Sequence, residues 1–135
     1  MRGVNDARRC VFMNDNTRLL CIGTNQVFTI DVENGRRTLM WNGTRDTARF
    51  NLRNVAISLD ERIAVGANGG IGLIENGALR MVATPQETEK ILGYPSWTPD
   101  GRQLVFAARM KDETTSVYTM PAEGERKGTR LNSRD

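Results

Sequence analysis

The stretch Tyr94-Pro95-Ser96-Trp97-Thr98-Pro99-Asp100-Gly101-Arg102-Gln103-Leu104-Val105-Phe106 reads as strand, tight turn, strand. Pro99 pre-sets the φ that the second turn position needs. Asp100 is able to accept from its own backbone two residues on, and Gly101 tolerates φ > 0. The flanking Tyr94, Trp97, Leu104, Val105 and Phe106 are strand formers. Downstream, Ser116-Val117-Tyr118-Thr119-Met120 is a short alternating strand, Pro121 to Glu125 a loop, and Thr129-Arg130-Leu131 the start of another strand.

The same unit recurs upstream. Forty residues back, Asp60 stands where Asp100 does and Ile57 where Trp97 does. Leu59 to Arg62 is the turn, Ile63-Ala64-Val65 the second strand, Gly70 to Ile74 the third. Asn76-Gly77 is a hairpin turn whose residues both accept φ > 0, and Leu79 to Val82 is the fourth strand. Forty-five residues further back, Asp15 and Phe12 hold the corresponding places. There Leu19 to Ile22, Val27 to Ile30 and Thr38 to Trp41 are the later strands, with Asn34-Gly35 read as a second Asn-Gly hairpin. Four-strand units repeating every 40 to 45 residues have the period of β-propeller blades. The expected fold is all-β, about three four-stranded antiparallel blades in one propeller region over residues 1–135, with units at roughly 9–45, 51–84 and 94–131.

The third unit, Pro95 to Phe106 followed by Val117 to Met120 and Thr129 to Leu131, resembles the repeat of TolB-like, WD-repeat-like propellers. The same repeat occurs in the propellers of prolyl-oligopeptidase and dipeptidyl-peptidase type enzymes. The second unit departs from it by lacking the Pro and Gly of the turn, and the first by having Asn14 and Asn16 there. The resemblance implies a non-catalytic scaffold that binds a protein or peptide. Two alternatives stay open: the propeller portion of a larger serine peptidase, gating substrate access, and a propeller enzyme with its site on the channel face. The peptidase alternative calls for a Gly-x-Ser-x-Gly nucleophile elbow, and the 135 residues contain none. Propellers close with about 4–8 blades. Three units therefore imply either a piece of a longer propeller, which the absence of capping features favours, or self-association to complete the ring.

Chemistry-bearing motifs are sparse. The chain has no His, which removes Ser-His-Asp and Cys-His arrangements and His-based metal sites. No metal site and no cofactor is expected. Gly66 to Gly72 is glycine-rich but lacks the Gly-Lys-Ser/Thr ending of a phosphate loop, so it reads as an inter-strand turn. Asn14-Asp15-Asn16 has no acidic residue at the distance that would complete a calcium loop.

The formal charge is +3, and Arg supplies most of the 19 basic residues. The arginines are scattered among 16 acids with no run longer than two, so a solvated surface is expected rather than a nucleic-acid stripe. No apolar stretch is long enough for a membrane-spanning helix, and Met1 to Asp6 has no apolar signal core. The compartment stays open: periplasmic by the resemblance, cytoplasmic otherwise.

Phe12 is expected to face Leu19, which sets Cys10 opposite Cys21. A disulfide across one strand pair is geometrically awkward, so both are expected as small apolar core residues. Thr84 to Leu92 carries helix-start signals, with Thr84 as cap, Pro85 in the first position and early acids, so a short helical turn is expected there.

In a propeller the first strand of each blade lines the central channel. Arg9, Asn54 and Tyr94 occupy equivalent positions just before the first strands, preceded by Arg8, Arg53 and Gly93. They are the candidate binding residues, a channel-mouth surface for a peptide, a partner loop or an anionic group. The alternative is ordinary polar loop residues. Arg109 to Thr115, read as a long loop, is a second candidate.

Overall fold

The computed structural model describes residues 7–43, 52–67, 69–84, 89–92, 94–123 and 129–130. Three consecutive antiparallel meanders account for them. The first blade holds β1 (Arg9–Phe12), β2 (Arg18–Gly23), β3 (Gln26–Asp31) and β4 (Arg37–Asn42). The second holds β5 (Leu52–Ile57), β6 (Ile63–Ala67), β7 (Gly70–Glu75) and β8 (Ala78–Ala83). In the third, β10 (Ser96–Trp97), β11 (Gln103–Met110), β12 (Thr115–Pro121) and β13 (Thr129–Arg130) follow in order, and β9 (Glu89–Ile91) also pairs with β11. The first strands converge: β5 touches β1 and β2 on one side and β10 on the other. Sequential strand order with the leading strands gathered together is the arrangement of propeller blades.

Alternation along each strand sorts the core into layers. Leu20, Ile22, Val27 and Trp41 of the first blade meet Val55, Ile63, Val65 and Ile74 of the second. The opposite face of the second blade, with Ala64, Ile71, Leu73 and Val82, meets Leu104, Phe106, Ala108 and Met120 of the third. The middle sheet is therefore covered on both sides. That explains why all of β6 is buried and why its sequence, Ile-Ala-Val-Gly-Ala, has no polar side chain. Cys21, Phe28 and Ile30 form a third layer on the outer face of the first blade, with Arg37 stacked 3.9 Å from the Phe28 ring centroid.

Each blade opens with the same turn. Asn16, Glu61 and Gly101 occupy one repeat position, and all three have positive φ, 58°, 63° and 73°. Each donates its backbone N–H three residues back, to Met13, Ser58 and Thr98 at 3.0, 3.0 and 2.8 Å. The Asp before it fixes the turn. Asp15 accepts from the Thr17 N–H at 3.0 Å and from Arg18 Nε at 2.8 Å. These bonds, the Thr17 N–H first, hold its carboxyl down at about 2. Asp100 accepts from the Thr98 hydroxyl at 2.6 Å and the Arg102 N–H at 3.0 Å, which also lowers its pKa. Asp60 bonds the Ser58 hydroxyl. Only the third unit uses Gly at the left-handed position.

These turns also latch neighbouring blades. Asn14 Nδ2 donates to the carbonyls of Ser58 and Leu59 at 2.8 and 3.0 Å. Trp97 Nε1 donates to the Ala56 carbonyl at 3.3 Å, and Arg62 lies 5.4 Å from the Trp97 ring centroid. The repeat position of Ile57 and Trp97 thus packs onto the preceding blade. Phe12, at the same position in the first blade, is 60% exposed.

Several expectations are corrected. Cys10 and Cys21 are directly paired, as the register requires, but they form a disulfide with Cα atoms 4.1 Å apart rather than two free core thiols. Close cross-strand pairing brings the two side chains together on the same face of the sheet. Glu89–Ile91 is strand, not helix, because its backbone pairs with Ala108 to Met110; residues 85–88 lie outside the described set. Asn76 and Gly77 are both left-handed as expected, whereas of Asn34-Gly35 only Gly35 is. There Asp31 closes a longer loop, accepting from the N–H groups of Glu33 and Asn34 on its side chain and of Gly35 on its carbonyl. Arg109 to Thr115 is no long loop: β11 runs to Met110, β12 begins at Thr115, and Met110 N–H donates to the Thr114 carbonyl across a tight turn. Leu131 lies outside the described residues.

Two predictions follow from this geometry. Gly101→Ala is expected to cost about 1–2 kcal/mol, since it places a side chain at positive φ, whereas Glu61→Gly is neutral or stabilising by up to about 1 kcal/mol. Urea unfolding checks both, and loss of stability in Glu61→Gly beyond about 1 kcal/mol contradicts the shared turn. The disulfide spans 11 residues. Replacing both cysteines by Ser is expected to cost about 2–3 kcal/mol by chain entropy, and an unchanged denaturation midpoint argues against the bond.

Candidate functional site at the convergence of the first strands

The leading strands bring large polar side chains together at one end, in two of the three blades through an irregularity in the pairing. In the first blade, Arg9 lies opposite Ile22, and the Arg8 N–H donates to the Ile22 carbonyl at 2.8 Å, extending the strand by one residue. In the second, the register shifts between Leu52 and Asn54: Leu52 pairs with Ala67 and Asn54 with Gly66, so Arg53 is the extra residue of a bulge. In the third, β9 and β10 share one partner. Ile91 pairs with Ala108, the Leu92 N–H donates to the Ala107 carbonyl at 2.9 Å, and regular pairing resumes with Ser96 opposite Val105. Pro95 has no N–H to contribute to the ladder, and the Tyr94 N–H turns back to the Leu92 carbonyl at 2.9 Å. Bulges re-aim side chains and are over-represented beside functional sites.

The result is a cleft of about 330 Å³ lined by Arg8, Arg9, Ile22, Leu52, Arg53 and Tyr94. Ile22 and Leu52 are buried and form an apolar floor. Arg8, Arg9, Arg53 and Tyr94 are exposed and form the rim. No carboxylate is among the described lining residues. Among the described residues none of these three guanidinium groups makes an ion pair or hydrogen bond, whereas Arg18 is held by Asp15 and Glu61 and Arg80 by Glu75.

Of the residues singled out from the sequence, Arg9 and Tyr94 therefore share one cleft, and so do Arg8 and Arg53 from the preceding positions. Asn54 does not line it. Its Oδ1 accepts from the Val55 N–H at 2.9 Å, and the residue is half-buried in the ladder opposite Gly66. The bulge is the cause: one extra residue shifts the alternation, so Arg53 takes the place that simple repeat alignment assigns to Asn54. Gly93 lies outside the described residues.

A larger cleft of about 440 Å³ lies at the opposite, turn-bearing end, lined by Asp60, Arg62, Asp100, Gly101, Arg102 and neighbours from Pro121 to Glu123. It mixes both signs of charge, and its two aspartates, Asp60 and Asp100, are engaged in holding the turns. Among the described residues no group of three or more acidic, Cys or His residues is placed to hold a metal ion.

No protein-family model matches the chain, and no curated protein does. Among solved structures it is similar to an oligogalacturonate lyase in complex with manganese, at 11% identity and a TM-score of 0.48. That match covers 98% of this chain and 55% of the other, so the chain spans about half the length of that protein. A likeness of this degree has no bearing on activity or ligand. The blade assignment rests on the strand order and on the gathering of β1, β5 and β10 in the middle of the array.

Proposed function

We propose that this chain is the blade array of a TolB-like propeller that serves as a non-catalytic scaffold, docking a protein or peptide partner at the channel mouth formed by Arg8, Arg9, Arg53 and Tyr94. One observation carries the reading. Three separate blades each deliver a large side chain to the same open cleft, two of them through interruptions of their own pairing. Such interruptions sacrifice ladder hydrogen bonds and persist where the displaced side chain has a use. Arg and Tyr are also among the residue types that dominate binding energy at protein interfaces. The composition of the lining supports binding over catalysis: among the described residues it holds no carboxylate, imidazole, thiol or Ser hydroxyl to serve as nucleophile or general base.

The test is to pan a displayed peptide library on the protein and measure the selected binders against Arg9→Ala/Arg53→Ala/Tyr94→Ala. With hot-spot losses of about 1–2 kcal/mol per residue at three residues, affinity is expected to fall at least about 100-fold. Binders that are indifferent to all three substitutions contradict the proposal.

A further inference from the structure

We infer that the element docked at this mouth is an acidic peptide segment, with neighbouring Asp or Glu carboxylates taken up by Arg8, Arg9 and Arg53. The inference rests on the docking function proposed above and names the chemistry of its ligand. Three like charges surround about 330 Å³ with no acidic residue among the described lining residues. A cleft lined by one sign of charge, over low-dielectric walls, raises the local concentration of the opposite sign. Ile22 and Leu52 supply such a wall, being almost wholly buried.

The nature of the cations and the shape of the cleft select among anions. A guanidinium presents a planar fork that matches a carboxylate with two parallel hydrogen bonds. Among the described residues the mouth contains no Lys and no helix N-terminus. Nucleic acid calls for a basic stripe that tracks a backbone. Here the arginines gather in one cleft, and the chain as a whole balances 19 basic against 16 acidic residues. A small dicarboxylate is disfavoured by openness: small-molecule sites typically bury about 70–90% of the ligand, whereas all four rim side chains here are exposed. An open rim suits a chain segment that lays side chains inward and continues outside. Tyr94, 56% exposed, offers a flat surface for the aliphatic part of a Glu or for an apolar neighbour of the acids.

The experiment is fluorescence anisotropy with a labelled glutamate hexapeptide, alongside glutamine and lysine hexapeptides carrying the same label. On the unaltered protein the glutamate peptide is expected to bind at least about tenfold more tightly than the glutamine peptide, and to weaken from about 50 to about 300 mM NaCl. Arg8→Gln/Arg9→Gln/Arg53→Gln is expected to abolish that preference. The charge-matched control Arg36→Gln/Arg102→Gln/Arg109→Gln is expected to keep it within about threefold. The three mouth arginines have no partner among the described residues, so their replacement is expected to leave the melting temperature within about 2 °C. Equal binding of the glutamine peptide overturns the inference, and that comparison decides even if a variant fails to fold. An equal loss in the control variant overturns it as well, in favour of general charge attraction. Full displacement by inorganic phosphate at matched anion concentration overturns it in favour of a free anion. If library-selected binders depend on the mouth while the glutamate peptide does not bind, the acidic ligand falls and the docking function stands. If neither depends on the mouth, both fall.

Discussion

The covering of both faces of the middle sheet is the constraint from which the rest of the structure follows. A sheet with two buried faces needs apolar side chains at consecutive positions, and β6 supplies them from Ile63 to Ala67 without interruption. Each buried face then requires a neighbouring sheet that matches it. The first blade offers Leu20, Ile22 and Val27, the third Leu104, Phe106 and Met120. At roughly 25 cal/mol per Å² of apolar surface removed from water, layers of this kind outweigh any of the individual polar latches. The latches set alignment instead. Asn14 reaching the Ser58 and Leu59 carbonyls ties turn to turn across one seam, and Trp97 reaching the Ala56 carbonyl ties strand to strand across the other.

With the sheets stacked in this way the first strands have to gather, and what they carry at their leading ends becomes one surface. Regular strands would hide some of those side chains in the ladder. The bulge at Arg53 and the break between β9 and β10 expose them instead. Fold and candidate site are thus linked by departures from regularity. The repeat builds a rigid frame, and two irregular segments of it present cations and an aromatic ring to solvent over an apolar floor.

Much of the frame was legible in the sequence because its signals are local. The Asp-centred turns recur at fixed spacing, and their backbone bonds and left-handed residues coincide position for position in all three blades. The pairing of Phe12 with Leu19 and of Cys10 with Cys21 followed from the turn between them. Illegible features were those decided by tertiary partners. Thr84 and Pro85 carry helix-start chemistry, yet a free edge of β11 claims Glu89 to Ile91 as a strand. Asn34-Gly35 and Asn76-Gly77 are identical dipeptides, but the Asp31 carboxylate and carbonyl capture the first loop in a different closure. Arg53 sits in a bulge with no Gly or Pro beside it to announce one, which is why alignment of repeats pointed to Asn54. That Tyr94 and Arg9 line one cleft was legible because Pro95 and the strand start mark their positions in the chain.

The seam between the second and third blades is the most direct point at which to test this account. The chain has only two Trp residues, so the two indole N–H resonances are readily distinguished by NMR. Nuclear Overhauser contacts are expected from the Trp97 indole to Ala56 and Arg62 across the seam, with slowed solvent exchange of an N–H bonded to the Ala56 carbonyl at 3.3 Å. A Trp97 indole that exchanges freely with water and shows contacts only within its own blade would contradict the stacked arrangement, and with it the shared mouth of the first strands.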